Sequence, residues 1–170
     1  RLLPTPGTSH GMSLDSDLFR SVLGRFASGV TVVTARDNAG RDHGMTVSAF
    51  TSLSLTPPLI LVCIDRAASV YSALAAAEWI VVNVLSASQE ALSRRFSHLE
   101  AESRFDGIGF SRAPHGAPIL DEVLACLECR LVARHQGGDH DILVAEVETA
   151  WAREERPLLY YRGGYAQLER

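Results

Sequence analysis

Two runs with a two-residue period, LACLECRLVARHQ (Leu124–Gln136) and DHDILVAEVETAWA (Asp139–Ala152), meet across Gly137 and Gly138. Alternation over so many residues is the period of a strand, and a Gly-Gly-Asp break between two such runs signals a hairpin. The rest of the chain supplies mostly strands to accompany it. VTVVTARDNAGRDHGMTVSAF reads as strand, Asn/Gly turn and strand. TSLSLTPPLILVCI gives an alternating strand, a break at Pro57 and Pro58, and a buried strand. WIVVNVL is another buried strand, and PLLYY with YAQLE forms a last pair turning at Gly163 and Gly164.

Helical patterning is confined to three short stretches. DSDLFRSVLGRFASG sets Leu18, Phe19, Val22, Leu23 and Phe26 on one stripe between an Asp/Ser start and Gly29. SVYSALAAAE opens with Ser69 as a helix N-cap, and SASQEALSRRF is the third. From His98 to Pro118 periodicity fails, and Gly107, Gly109, Pro114, Gly116 and Pro118 mark a long loop. Strands dominate, no βαβ alternation occurs and no segment repeats. The expected fold is therefore mainly β, a closed or partly open barrel.

The chain length of 170 residues suits one domain, taken as residues 12–170. RLLPTPGTSHG, residues 1–11, is aperiodic and runs directly into Met12, so it is set apart as an expression scar or disordered tail. A net charge of −4 with 21% charged residues leaves no basic excess, which excludes nucleic acid as a partner. The apolar runs LILVCI and WIVVNVL fall far short of the roughly twenty residues that span a bilayer. A soluble, cytoplasmic protein with no membrane partner is expected. Cys63, Cys126 and Cys129 are odd in number and sit in apolar runs, which argues against a disulfide framework and for a reducing compartment. CLEC invites a metal reading, but Cys126 and Cys129 on one strand point to opposite faces, so no metal site is expected.

GMTVSAFTSLSLTPP, Gly44 to Pro58, places Thr46, Ser48, Thr51, Ser52 and Ser54 where strands usually carry valine and isoleucine. Such residues suit the lining of something polar, although alone they also read as turn and edge-strand residues. Their neighbours decide between the two. The blocks FRSVLGRFASGVTVVTA, GMTVSAFTSLSLTPPLILVCID, WIVVNVLSASQEALSRRF, LECRLV, GGDHDILVAEV and PLLYYRGGY follow in order from about Phe19 to Leu168. This series resembles the short-chain flavin reductase family, the reductase components of two-component flavin-dependent monooxygenases. The resemblance implies a split β-barrel of Greek-key type with a few short flanking helices. It also implies a homodimer, FMN or FAD in a groove near the dimer interface, NADH or NADPH as hydride donor, and a monooxygenase that receives reduced flavin by diffusion.

By the same resemblance, Gly44, Met45, Thr46, Val47 and Ser48 lie along the isoalloxazine edge, while Cys63, Ile64, Asp65, Arg66 and Ser69 hold the ribityl chain and phosphate. Elementary chemistry agrees for the second group, since a helix start at Ser69 offers N–H donors and Arg66 a cation. Each alone reads as a cap or a solvated charge. His140 in GGDHD is implied to stand where nicotinamide meets flavin, which makes it the catalytic candidate. Asp139 and Asp141 flank it and favour a protonated ring. Arg162 and Tyr165 of YYRGGY are implied at the same mouth, with sheet packing an even alternative for the tyrosine. Asn83 reads equally as a satisfied core amide, and Phe96 and Phe105 read first as core.

Apolar positions Leu127, Leu131 and Val144 on the long strands are the expected dimer-forming surface. No GxGxxG follows a strand, so a Rossmann cofactor domain is absent. Two other classes stay open: a flavin-binding split-barrel protein without turnover, and a small-ligand barrel without flavin.

Overall fold

The computed structural model describes residues 14–169; the tail assigned to residues 1–11 lies outside them. In chain order the elements are α1 (Ser16–Leu23), β1 (Ser28–Gly29), β2 (Thr31–Arg36), β3 (Asp42–Val47), β4 (Phe50–Leu55), β5 (Pro58–Asp65), α2 (Tyr71–Ala76), β6 (Trp79–Val84), α3 (Glu90–His98), β7 (Phe110–Arg112), β8 (Pro118–Leu120), β9 (Ala125–Gly137), β10 (His140–Ala152), β11 (Leu159–Tyr161) and β12 (Gly164–Ala166). β9 and β10 form the long hairpin that their alternation dictates, from His140 opposite Gly137 to Ala152 opposite Ala125.

Seven strands make one antiparallel sheet in the order β3-β2-β6-β9-β10-β5-β4. Its two edge strands, β3 and β4, are joined by Ser48 and Ala49 alone. Seven flat strands would hold their edges about 29 Å apart, whereas such a link reaches about 11 Å. The sheet must therefore curl until its edges meet. Cys63 N–H donates to the Ala49 carbonyl at 3.0 Å, extending the β4–β5 ladder into the link, and the curled sheet is a split barrel.

Burial follows that curl. Val33, Val47, Val62, Ile80, Cys129 and Leu143 come from strands all around the sheet yet form a single cluster, so they fill the barrel interior. Val32, Val81, Cys126, Phe96, Leu120 and Leu158 form a second cluster on the outer face of β2, β6 and β9, beneath α3. Each fully buried branched side chain contributes about 1.5–3 kcal/mol. Cys126 and Cys129 fall in different clusters, as strand alternation requires, and both are free.

Four expectations change. Ser69 does not cap α2: the cap position is Val70, with no side-chain bond, and Ser69 is exposed. Asp65 takes the local donor instead, its Oδ1 accepting from Ala67 N–H at 2.8 Å, and this turn delays the helix. The segment 98–118 is not a bare loop, because it holds a 3-10 turn (Ala101–Ser103) and the β7–β8 hairpin. Arg95 donates from Nε to the Arg104 carbonyl (2.6 Å) and from Nη2 to that of Ser103 (2.8 Å), while Arg104 Nε donates to Leu99 (2.9 Å). Such bonds from side chain to carbonyl leave no period in the sequence.

α1 forms with Asp15 as its cap, accepting from Leu18 N–H at 3.1 Å, but it buries none of its residues. Leu18, Phe19, Val22 and Leu23 are all about half exposed or more, and Phe26 is 83% exposed. Conversely, Leu127 and Leu131 pack against the interior cluster, and Val144, on the opposite face of β10 from Leu143 and Ala145, is buried as well. Exposed apolar side chains thus line α1, and on the long hairpin they are Val132 and Trp151 rather than the three expected. Among the described residues no helix is long and apolar enough to cross a membrane.

Candidate functional site

Alternation along β3 sorts the hydroxyl-rich block into two faces. Met45 and Val47, expected along the flavin edge, instead pack their side chains into the barrel interior. Gly44, Thr46 and Ser48 face outward, toward α3. A Cβ on Gly44 would come within 2.7 Å of Phe96 Cε1, so only glycine lets the strand run this close to the helix. Thr31 Oγ1 donates to the Val47 carbonyl at 2.7 Å, which shows that Val47 points its backbone at β2. The two-residue period then turns the peptide groups of Gly44 and Thr46 to the open edge of the sheet. There the Gly44 carbonyl accepts from Arg104 Nη1 at 2.7 Å.

Beside that edge lies a cavity of about 380 Å³, bordered by Thr46, Ser48, Ser93, Arg94, Ser97 and Tyr165. Thr46 Oγ1 donates to the Ser93 carbonyl at 2.7 Å, and Ser93 Oγ lies 2.8 Å from the Tyr165 hydroxyl. Arg94 stands 4.8 Å over the Tyr165 ring and is held by Glu90 at 2.7 Å. Sequence reasoning placed Thr46, Ser48 and Tyr165 at a site but missed the α3 contribution. The signal was present: in LSRRFSH, Ser93 and Ser97, and likewise Arg94 and His98, are one helical turn apart and so share a face.

The second group gathers where β5 meets β10. Cys63 is half-buried on β5 opposite Ile142, and Ile64 is sealed in the interior. Asp65 shapes the turn, and Arg66 leaves it with its N–H on the Asp139 carbonyl (3.1 Å) and its Nη2 on that of Gly138. His140 sits opposite Asp65, with Nδ1 2.7 Å from Asp139 Oδ1. Hydrogen bonding to His140 lowers the Asp139 carboxyl below its ordinary range. Asp141 does not join it. Alternation aims that side chain into the barrel, where it is buried and accepts from the Tyr71 hydroxyl at 2.6 Å. That bond, with burial and the negative charge, raises the Tyr71 phenol. Of the two carboxylates expected around the imidazole, one reaches it.

Arg162 is exposed in a left-handed turn (φ 51°), its N–H on the Gly24 carbonyl at 2.9 Å. It neighbours Gly163 on the cavity rim. Tyr165 and Thr46 share that cavity, while His140 belongs to the β5–β10 group; the β4–β5 ladder, through Cys63 N–H on the Ala49 carbonyl, links the chain segments of the two. Asn83 is a satisfied core amide, donating to Val32 (3.0 Å) and Thr34 (3.2 Å) and accepting from Leu120 N–H (2.9 Å). Phe96 is wholly buried and Phe105 packs against the outer cluster.

Residues 23–169 match the flavin reductase like domain. The reductase subunit of a stachydrine N-demethylase from Rhizobium meliloti is 41% identical over 151 residues, 89% of this chain and 65% of that protein. The reductase subunit of a flavin-dependent monooxygenase from Rhodococcus jostii is 39% identical over 158 residues, 92% of this chain and 80% of that one. Among solved structures, an NADH:FAD oxidoreductase of Streptomyces globisporus in complex with NAD and FAD fragments superposes with a TM-score of 0.86. It is 33% identical and covers 95% of this chain and 98% of its own. With the match running from the end of α1 through β12, the chain belongs to the flavin reductase like domain family.

Proposed function

We propose that the chain is an NAD(P)H:flavin oxidoreductase, which passes a hydride from a nicotinamide cofactor to FMN or FAD and supplies reduced flavin to a partner monooxygenase. One observation carries the reading. Ala49, next to Ser48, accepts from Cys63 N–H at 3.0 Å, so the hydroxyl-rich edge lies beside the strand end that leads into the β5 turn. Outward peptide groups of Gly44 and Thr46, small hydroxyls at Thr46 and Ser48, and nearby cations suit a planar heterocycle with an anionic tail.

The flavin, when bound, supplies the hydride-accepting ring, and the chain orients the reactants. In this reading Gly44, Thr46 and Ser48 meet the ring, while Met45 and Val47, whose side chains fill the interior and whose backbones face β2, hold the strand that carries them. Cys63, Ile64 and Asp65 fix the adjoining turn, and Arg66 with exposed Ser69 faces the phosphate. His140, steadied by Asp139, presents Nε2 to the nicotinamide, while Tyr165 forms the opposite wall and Arg162 the rim. Holding donor carbon and acceptor nitrogen about 3–3.5 Å apart is the main catalytic task, and is worth several kcal/mol.

Steady-state oxidation of NADH and NADPH with each flavin in turn tests the reading. Turnover is expected; a protein that binds flavin yet leaves both cofactors unoxidised is a carrier, and one that takes up no flavin overturns the site. We infer further that residues 12–170 form one domain working in the cytoplasm, in keeping with three free thiols, and that it pairs as a homodimer. The uncovered stripe of α1 supports pairing. Light scattering that reports a monomer at micromolar concentration refutes it.

A further inference from the structure

Arg134 belongs to none of the blocks that suggested a site, yet it converges on the same corner. It lies on β9, and its Nε is 3.5 Å from Asp141 Oδ2. Arg66 Nε stands 3.9 Å from Oδ1 of the same carboxylate. The Asp141 side chain is 3% exposed and Oδ1 has no hydrogen-bond partner, while Oδ2 accepts from Tyr71. One buried negative charge thus faces two guanidinium groups whose side chains are 40% and 55% exposed.

A single buried carboxylate cannot pair fully with both cations, although exposed Asp139 also acts on Arg66 from the hairpin tip. Asp141 also holds together two like charges that would otherwise separate. Neither arginine closes a hydrogen bond on Asp141, so their donors are left for a third group. Arg66 uses Nη2 on Gly138, and Arg134 makes no side-chain hydrogen bond among the described residues. Paired guanidinium forks of this kind match the oxygens of a phosphate, with charge-assisted bonds about twice as strong as neutral ones.

We propose that Arg134 is the second cation of the phosphate seat: Arg66 and Arg134, held side by side by Asp141, bind the phosphate of the flavin. This rests on the assignment of Arg66 to that phosphate made above. Dissociation constants for FMN and for riboflavin, which lacks the phosphate, test it by fluorescence quenching without a nicotinamide cofactor. Arg134→Gln should weaken FMN about tenfold or more and leave riboflavin within about twofold, with Arg134→Lys between wild type and Arg134→Gln. Since the Arg134 side chain is 55% exposed, the variants should remain folded, which a thermal melt verifies. Equal losses for both flavins, or none, overturn the proposal. If Arg66→Gln abolishes the preference for FMN while Arg134→Gln retains it, Arg134 alone is excluded; if both retain it, the Arg66 assignment fails as well.

Discussion

Replacing Gly44 by alanine tests the packing that brings β3 and α3 together. The new Cβ would meet Phe96 Cε1 at 2.7 Å, Phe96 Cδ1 at 3.0 Å and Phe105 Cζ at 3.2 Å. Carbon pairs settle at about 3.5–4.0 Å, so strand or ring must retreat by about 1 Å. The ring has little room. Phe96 is fully buried and edge-on to Phe105 at 5.1 Å, which is itself edge-on to Phe110 at 5.6 Å. Overpacking of this sort costs about 1–3 kcal/mol, and about 2 kcal/mol lowers Tm by about 4–8 °C in a domain of this size. A retreat of β3 also draws Gly44 from Arg104 and shifts the open edge, so flavin affinity should fall with Tm. Thermal unfolding by circular dichroism and flavin titration, at a temperature where both proteins are folded, read the two effects. Phe96→Leu in the alanine background should recover part of the loss, although Phe96→Leu alone destabilises, a coupling that separates crowding from a general weakening. A Tm within about 1 °C of wild type, together with an unchanged flavin dissociation constant, would refute the reasoning.

His140→Ala should leave flavin affinity nearly unchanged and lower kcat/KM for NADH about tenfold or more, equivalent to about 1.4 kcal/mol; wild-type kinetics exclude the assigned role. Asp37 accepts from the His43 ring, Arg41 N–H, Ala39 N–H and Arg41 Nε, each at 2.9 Å, which holds its carboxyl well below the ordinary 3.8. A depressed folded value gives stability that is present above the unfolded pKa and lost as pH falls through the folded one. The Tm gap between wild type and Asp37→Asn should therefore stay constant from about pH 7 to 5 and narrow below about pH 4; melts at several pH values check this, and a constant gap contradicts it. Burial pushes the Cys126 and Cys129 thiols up to about 12, so a thiol reagent near pH 8 should find at most Cys63 in the native protein and all three after denaturation.

Features set by local period were legible from residues alone. Alternation placed the β9–β10 hairpin, separated Cys126 from Cys129, and turned Met45 and Val47 away from Thr46. The same rule, applied to His140 and Asp141, would have sent the second carboxylate into the barrel. What stayed hidden depends on contacts that follow no period. Arg95 and Arg104 order the 99–107 segment through backbone carbonyls, and no periodic pattern encodes that. α1 carried a clear apolar stripe, but a stripe says that a face needs cover and not where the cover lies. Ser69 caps nothing, because the turn that Asp65 closes on Ala67 N–H precedes it and the helix begins only after Val70.

The Ser48–Ala49 link has a consequence for folding kinetics. Its residues are adjacent in the chain, yet they sit where the two ends of a seven-stranded sheet meet. That junction takes shape only after β2, β6, β9, β10 and β5 have found their register, so its formation time is set by the least local pairings in the molecule. In refolding experiments flavin quenching should lag behind the recovery of sheet ellipticity. On the unfolding side, hydrogen exchange should open the β3–β4 junction before the centre of the sheet. Competence for the cofactor would then be the last property the chain acquires and the first it gives up.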